Sequence, residues 1–296
     1  MVSDAATLER SGRKASPAPA RWWALGALVV VLLAVFVGRT ALARTQEMPR
    51  LSDLLDTLTV LGSAAVVAVD HRRLTRRDWL VGLGVGLLIG VQLPFATLFR
   101  PYPWFGVLRG GAGQAIVRGA YTAVAALGGL AIARGGGPVR VRLAEGPWRR
   151  ALGSLLLGAG VGLPLAVLNA YANAYVQGRA FAWQSPLAAA LDALQPAVVE
   201  EALYRLAFLG LVWLVLRRTW PERQAAYLAG ALSALVHTYY HYSDEFLAQP
   251  VLALGMGAVM GLVWGLPLTV LALRRDLDAA VGFHWVQDAA RFLVGL

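Results

Sequence analysis

Apolar residues run along this chain in long blocks, broken by short joints in which arginine, proline and glycine collect. The blocks cover roughly residues 22–42, 51–69, 79–99, 114–133, 151–172, 186–216, 224–242, 249–273 and 278–295. Lipid tails offer a backbone no hydrogen bonds, and a helix needs about 20 apolar residues to cross about 30 Å of hydrocarbon. The pattern therefore predicts an all-α, polytopic transmembrane helical bundle of about nine spans. The second block is the weakest, because Asp53 and Asp56 lie in its first turn. Glycines inside the blocks, such as Gly82, Gly86, Gly158, Gly162, Gly257 and Gly261, suit close approach between helices.

The polar joints set an orientation. With the N-terminus inside, that side carries Arg10, Arg13, Lys14 and Arg21, then Arg72, Arg73, Arg76 and Arg77, then Arg134, Arg140, Arg142, Arg149 and Arg150. Arg217, Arg218, Arg223, Arg274 and Arg275 follow on the same side. The opposite side takes only Arg39, Arg44, Arg50, Arg100, Arg109, Arg118 and Arg179. Positive charge collects on cytoplasmic joints, so the expected topology is N-in and C-out. Residues 1–21 are polar and basic and read as a disordered cytoplasmic tail. Trp22 and Trp23 follow as an interfacial anchor, and no small-x-small cleavage pattern comes after the first block, which is read as an uncleaved span. Residues 22–184 form the N-terminal transmembrane helices. Few intramembrane polar groups are expected in the first two or three of them, and the chemistry-bearing residues all fall after residue 190, inside a helical core at 185–296.

Composition agrees with this class. The 296 residues are 58% hydrophobic and 15% charged, with mean hydropathy +0.58, whereas soluble domains carry about 25% charged residues. A net charge of +10 in a soluble chain would suggest nucleic acid. Here topology accounts for the arginines, so the lipid bilayer is the expected surrounding and no nucleic-acid partner is expected. The Ala, Leu, Gly and Arg bias suits a GC-rich bacterial genome, hence a multi-pass protein of the bacterial inner membrane. The absence of cysteine excludes disulfides, thiolate metal sites and a cysteine nucleophile.

Against that apolar background a few polar groups stand out. Glu200, Glu201 and Arg205 lie near the middle of the sixth block, where a charge costs several kcal/mol unless paired, hydrated or used. Glu201 and Arg205, at i and i+4, share a face in the favourable order for an ion pair. Glu200 is turned by about 100° and has no partner on its own helix. A structural ion-pair cluster is the plainer alternative. In the seventh block His237 and His241 are also i, i+4 neighbours, a spacing that can hold a metal, although the His-Glu-x-x-His signature is missing. In the last block His284 and Asp288 share a face, and a carboxylate so placed orients an imidazole. Pro196, four residues before Glu200, is placed to kink the helix. Asp192, Gln195, Asn169 and Asn173 read as lining or structural groups.

Glu-Glu-x-x-x-Arg at 200–205, a later His237 and a final His-x-x-x-Asp at 284–288 together resemble the CPBP family. This is the CAAX-protease and bacteriocin-processing, or Abi, family of intramembrane proteases, related to type II CAAX prenyl endopeptidases. The resemblance covers about residues 185–296. Ser233 stands where the family's second motif has Phe, Leu206 where a Gly commonly follows the Arg, and Asp288 where Asn is usual. The resemblance implies a catalytic set of Glu200, Glu201, Arg205, His237, His284 and Asp288. In it Glu200 activates a water, His237 helps to orient that water, and His284 with Asp288 stabilises the oxyanion. Arg205 holds Glu201. No cofactor is expected, though two His and one Glu keep zinc open as an alternative.

The expected function is therefore an intramembrane endopeptidase acting on a peptide or membrane-protein substrate, without implied prenyl specificity. The alternative is a non-proteolytic membrane scaffold, immunity or partner-binding protein on the same fold. An ion-coupled transporter is a third class; paired repeats or broken helices in both halves would favour it, and the sequence has no such repeat.

Overall fold

A computed structural model describes residues 18–295, so the expected tail falls mostly outside the described residues. Its last four residues already belong to helix α1, Ala18–Leu42. The other N-terminal helices are α2 (Leu51–Asp70), α3 (Arg76–Gln92), α4 (Gly111–Arg134), the short α5 (Arg142–Glu145) and α6 (Trp148–Gln177). The C-terminal part comprises α7 (Pro186–Asp192), α8 (Leu194–Glu200), a π-helical stretch at Glu201–Phe208, α9 (Leu209–Leu216) and α10 (Glu222–Tyr240). After α11 (Glu245–Ala248) come α12 (Pro250–Met260), a second π-helical turn at Gly261–Gly265, α13 (Leu266–Arg274) and α14 (Leu277–Leu293). Among the described residues there is no strand, only an isolated bridge between Trp104 and Leu108.

Among the described residues, six helical stretches are long and apolar enough to cross a membrane: Ala20–Leu42, Leu51–Arg73, Arg76–Phe95, Gly111–Arg134, Trp148–Tyr175 and Pro250–Arg274. The three other expected spans fail that measure. The sixth block is broken at Ala193, because Pro196 has no N–H to bond the Asp192 carbonyl four residues back. Helices α10 and α14 are 19 and 17 residues long and carry the histidines. These shorter, more polar elements pack against the interior of the bundle, where their neighbours are protein.

Two junctions fix where α14 sits. At its start Asp276 caps the helix by accepting the Ala279 amide (2.9 Å), and it also accepts Ser154 Oγ (2.5 Å) and Arg142 Nε (3.1 Å). Asp278 accepts the amides of Arg142 and Leu143, so the joint that carries Arg140 and Arg142 is docked on this helix end. Along its length α14 lies against α6 through glycines. A methyl group at Gly158 would overlap the Ala279 carbonyl, and one at Gly282 would overlap the Leu155 carbonyl. Gln287 Nε2 donates to the Gly162 carbonyl (2.9 Å), and Trp285 Nε1 reaches Ala190 of α7 (2.9 Å).

The acids at the start of the second block are buried and meet a cation on the fourth. Asp53 and Asp56 in α2 are 1% and 5% exposed, and Arg118 in α4 is 8% exposed. Asp56 pairs with Arg118 at 3.2 Å. The acids face inward and are matched by a cation on the neighbouring helix, which is what lets charge persist there.

Replacing Gly158 or Gly282 by alanine forces α6 and α14 apart, at about 1–3 kcal/mol each. Heating detergent-solubilised protein while following its tryptophan fluorescence should show a lower midpoint for both. Gly153→Ala and Gly160→Ala, whose added methyl meets no atom within 4 Å, should not lower it.

Candidate active site

The sequence's six candidate residues come together where α8, the π-helical stretch, α10 and α14 meet. Glu200 closes α8, and Glu201 opens the wider turn that runs to Phe208. Such turns insert extra residues into a helix and are frequent at functional sites. Glu200 Oε2 lies 2.7 Å from His237 Nε2 and 3.8 Å from His284 Nε2. Glu201 Oε1 lies 2.9 Å from His284 Nδ1 and 3.4 Å from Arg205 Nη1. The two adjacent carboxylates thus converge on opposite nitrogens of one imidazole.

Exposure separates their roles. The Glu201 and Arg205 side chains are wholly buried, whereas Glu200 keeps 19% of its side chain accessible. Of the two, Glu200 is the carboxylate that a water can reach. Asp288 is 3.4 Å from His284 Nε2 and 3.0 Å from Arg291 Nη2. The tightest partner of His284 is therefore Glu201, where the i, i+4 spacing alone pointed to Asp288.

Arg205 also makes a contact that the spacing did not reveal: its Nη1 meets His237 Nδ1. A guanidinium only donates, so Nδ1 accepts and the ring proton sits on Nε2, facing Glu200. That assignment bears on zinc. Glu200, His237 and the exposed His241 offer ligand atoms within 4.8 Å of one another, the span of a small cation site. A metal on His237 Nε2, however, would move the ring proton to Nδ1, against a guanidinium with no acceptor. Metal-bound histidines instead donate that second N–H to a carboxylate or carbonyl. The residues as arranged do not fit zinc.

Two departures from the family's motifs are matched elsewhere in the chain. Ser233 donates from Oγ to the Tyr204 carbonyl at 2.6 Å, satisfying a backbone acceptor inside the π-helical stretch. Leu206 packs directly onto Gly129 of α4, where any added methyl would strike it. Asp192 is structural: its carboxylate accepts the amides of Thr97, Leu98 and Phe99. Asp56 and Tyr204 escaped the sequence reading, although acids in one apolar block and Arg118 in another were the signal for a buried pair.

With this geometry in view, comparison with known proteins gives one match. Residues 182–290 match the family model described as type II CAAX prenyl endopeptidase Rce1-like. No curated protein and no solved structure matches the chain. The matched segment contains all six candidate residues and is a domain of a protease family, here joined to several helices of membrane-spanning length and composition. Over residues 182–290 the chain is thus similar to the CAAX-protease, or CPBP, family.

Substituting Arg205 by methionine leaves the Glu201 carboxylate buried without its cation. Stability should fall by about 3–5 kcal/mol, the scale for breaking one side of a buried pair, read as a lower unfolding midpoint. The double variant Arg205→Met, Glu201→Gln should recover part of that loss.

Proposed function

We propose that the protein is an intramembrane endopeptidase in which Glu200 activates the attacking water. The observation that carries this reading is the half-sheltered Glu200 carboxylate, held at 2.7 Å by His237 and facing His284 Nε2 at 3.8 Å, beside a wholly buried Glu201–Arg205 pair. Glu200 takes one proton as the water oxygen bonds to the scissile carbonyl carbon. The C–N bond then breaks, and the proton passes from Glu200 to the departing amine. His237 aims Glu200 through its Nε2–H, while Arg205 keeps that tautomer and compensates Glu201. His284, with carboxylates at both nitrogens, supplies an N–H to the developing oxyanion, a donor worth most in a dry, prearranged site. Asp288 steadies that ring.

No step needs a metal. The nine-span, N-in arrangement in a bacterial inner membrane belongs to the same proposal: the arginine distribution supports it, and α8–α9, α10 and α14 supply the three spans beyond the six. The substrate is a peptide or the segment of a membrane protein, without a required prenyl group.

The test is cleavage of a quenched fluorogenic peptide library by detergent-purified protein, with a farnesylated CAAX peptide alongside. Glu200→Gln should lose at least about 100-fold in rate, as expected for removal of a general base. Activity should persist in chelator and with unmodified peptides. Loss in chelator restored by zinc would replace the glutamate mechanism. No turnover by folded wild-type protein under any condition would favour the binding-scaffold reading.

A further inference from the structure

One side chain links the helices that precede the matched segment to the His237 ring. Tyr204, between Glu201 and Arg205, has no exposed surface. Its ring lies over the His237 imidazole, with centroids 4.7 Å apart and planes at 19°, and over Tyr240 at 5.3 Å. Its hydroxyl donates to Asp56 Oδ1 on α2 at 2.6 Å. The other oxygen of Asp56 accepts Arg118 Nη1 of α4 at 3.2 Å. Arg118 also lies 3.8 Å from Asp53, which accepts the Phe105 amide at 3.1 Å.

Arg205 holds Nδ1, Glu200 holds Nε2, and the bond to Cβ holds the third corner of the His237 ring. The two hydrogen bonds bend more easily than they break, so the ring plane can still tilt by a small angle. Packing against a ring face limits that tilt, and Tyr204 packs there. Tyr204 would swing with it unless its own far end were fixed. A hydroxyl bonded to a carboxylate is a strong anchor, and Arg118 holds the other oxygen of that carboxylate in place.

We propose that Asp56 and Tyr204 are positioning residues that set the tilt of the His237 ring and so the direction of its Nε2–H toward Glu200. This assigns the helices outside the matched segment a part in the active site. It rests on the reading of Glu200 and His237 as the water-activating pair.

The experiment compares Tyr204→Phe, Asp56→Asn and their double variant with the wild type. Each single change should lower kcat about tenfold or more with KM nearly unchanged, the scale of losses from misaligned groups. The double variant should lose no more than the weaker single, since both changes break the same hydrogen bond. Nitrogen NMR of the four histidines gives a readout independent of turnover. The His237 signals, identified by their loss in His237→Asn, should report the Nε2–H tautomer in wild type. They should shift in both single variants while those of His71 stay fixed.

Unaltered His237 signals in both variants would overturn the relay, as would multiplicative losses of kcat in the double variant. A wild type without activity would remove the protease reading, and the NMR comparison would still decide whether Asp56 and Tyr204 orient His237.

Discussion

A guanidinium with no exposed surface governs the centre of this protein. Burying the charge of Arg205 is costly, and its compensation organises everything around it. It takes Glu201 from its own turn and His237 from α10. Through Glu201 it reaches His284 of α14, so three separate elements are set against one another by a single cation. Such a centre has one satisfactory arrangement. An apolar core of the same size would tolerate sliding, whereas a guanidinium between two fixed acceptors does not. The specificity of the fold and the geometry of the chemistry have the same source here.

The all-helical class was legible because lipid leaves the sequence few choices. Long apolar blocks gave most of the helices nearly to their ends, and the break before Glu200 was written in Pro196. The candidate residues were legible as costly exceptions to apolarity. What could not be read were the contacts between blocks. Glu201 rather than Asp288 as the closest partner of His284 depends on how α14 meets the π-helical stretch, and spacing along one helix is silent on that. Asp56 looked like a weak start to a span because its partner, Arg118, lies 62 residues away on another helix. The same holds for Ser233 and Leu206, which looked like losses from a motif. Each turned out to be half of a pair, with the Tyr204 carbonyl and with Gly129.

The active site also marks a seam. The matched segment begins at residue 182, yet the aromatic face against His237 is anchored by α2 and α4. The motifs after that residue hold the six candidate residues. The earlier helices supply stiffness, a property that short motifs do not record.

The docking of α14 has a consequence for how the chain can evolve. Asp276 and Asp278 pin the start of that helix to Arg142, Leu143 and Ser154, and His284 lies six residues beyond Asp278. Each residue of helix advances about 1.5 Å and turns by about 100°. The stretch between is therefore a ruler as well as a spacer. A single inserted residue would carry the imidazole a quarter-turn past both glutamates while leaving every apolar block intact. The length of this stretch matters to the site as much as the identity of its residues.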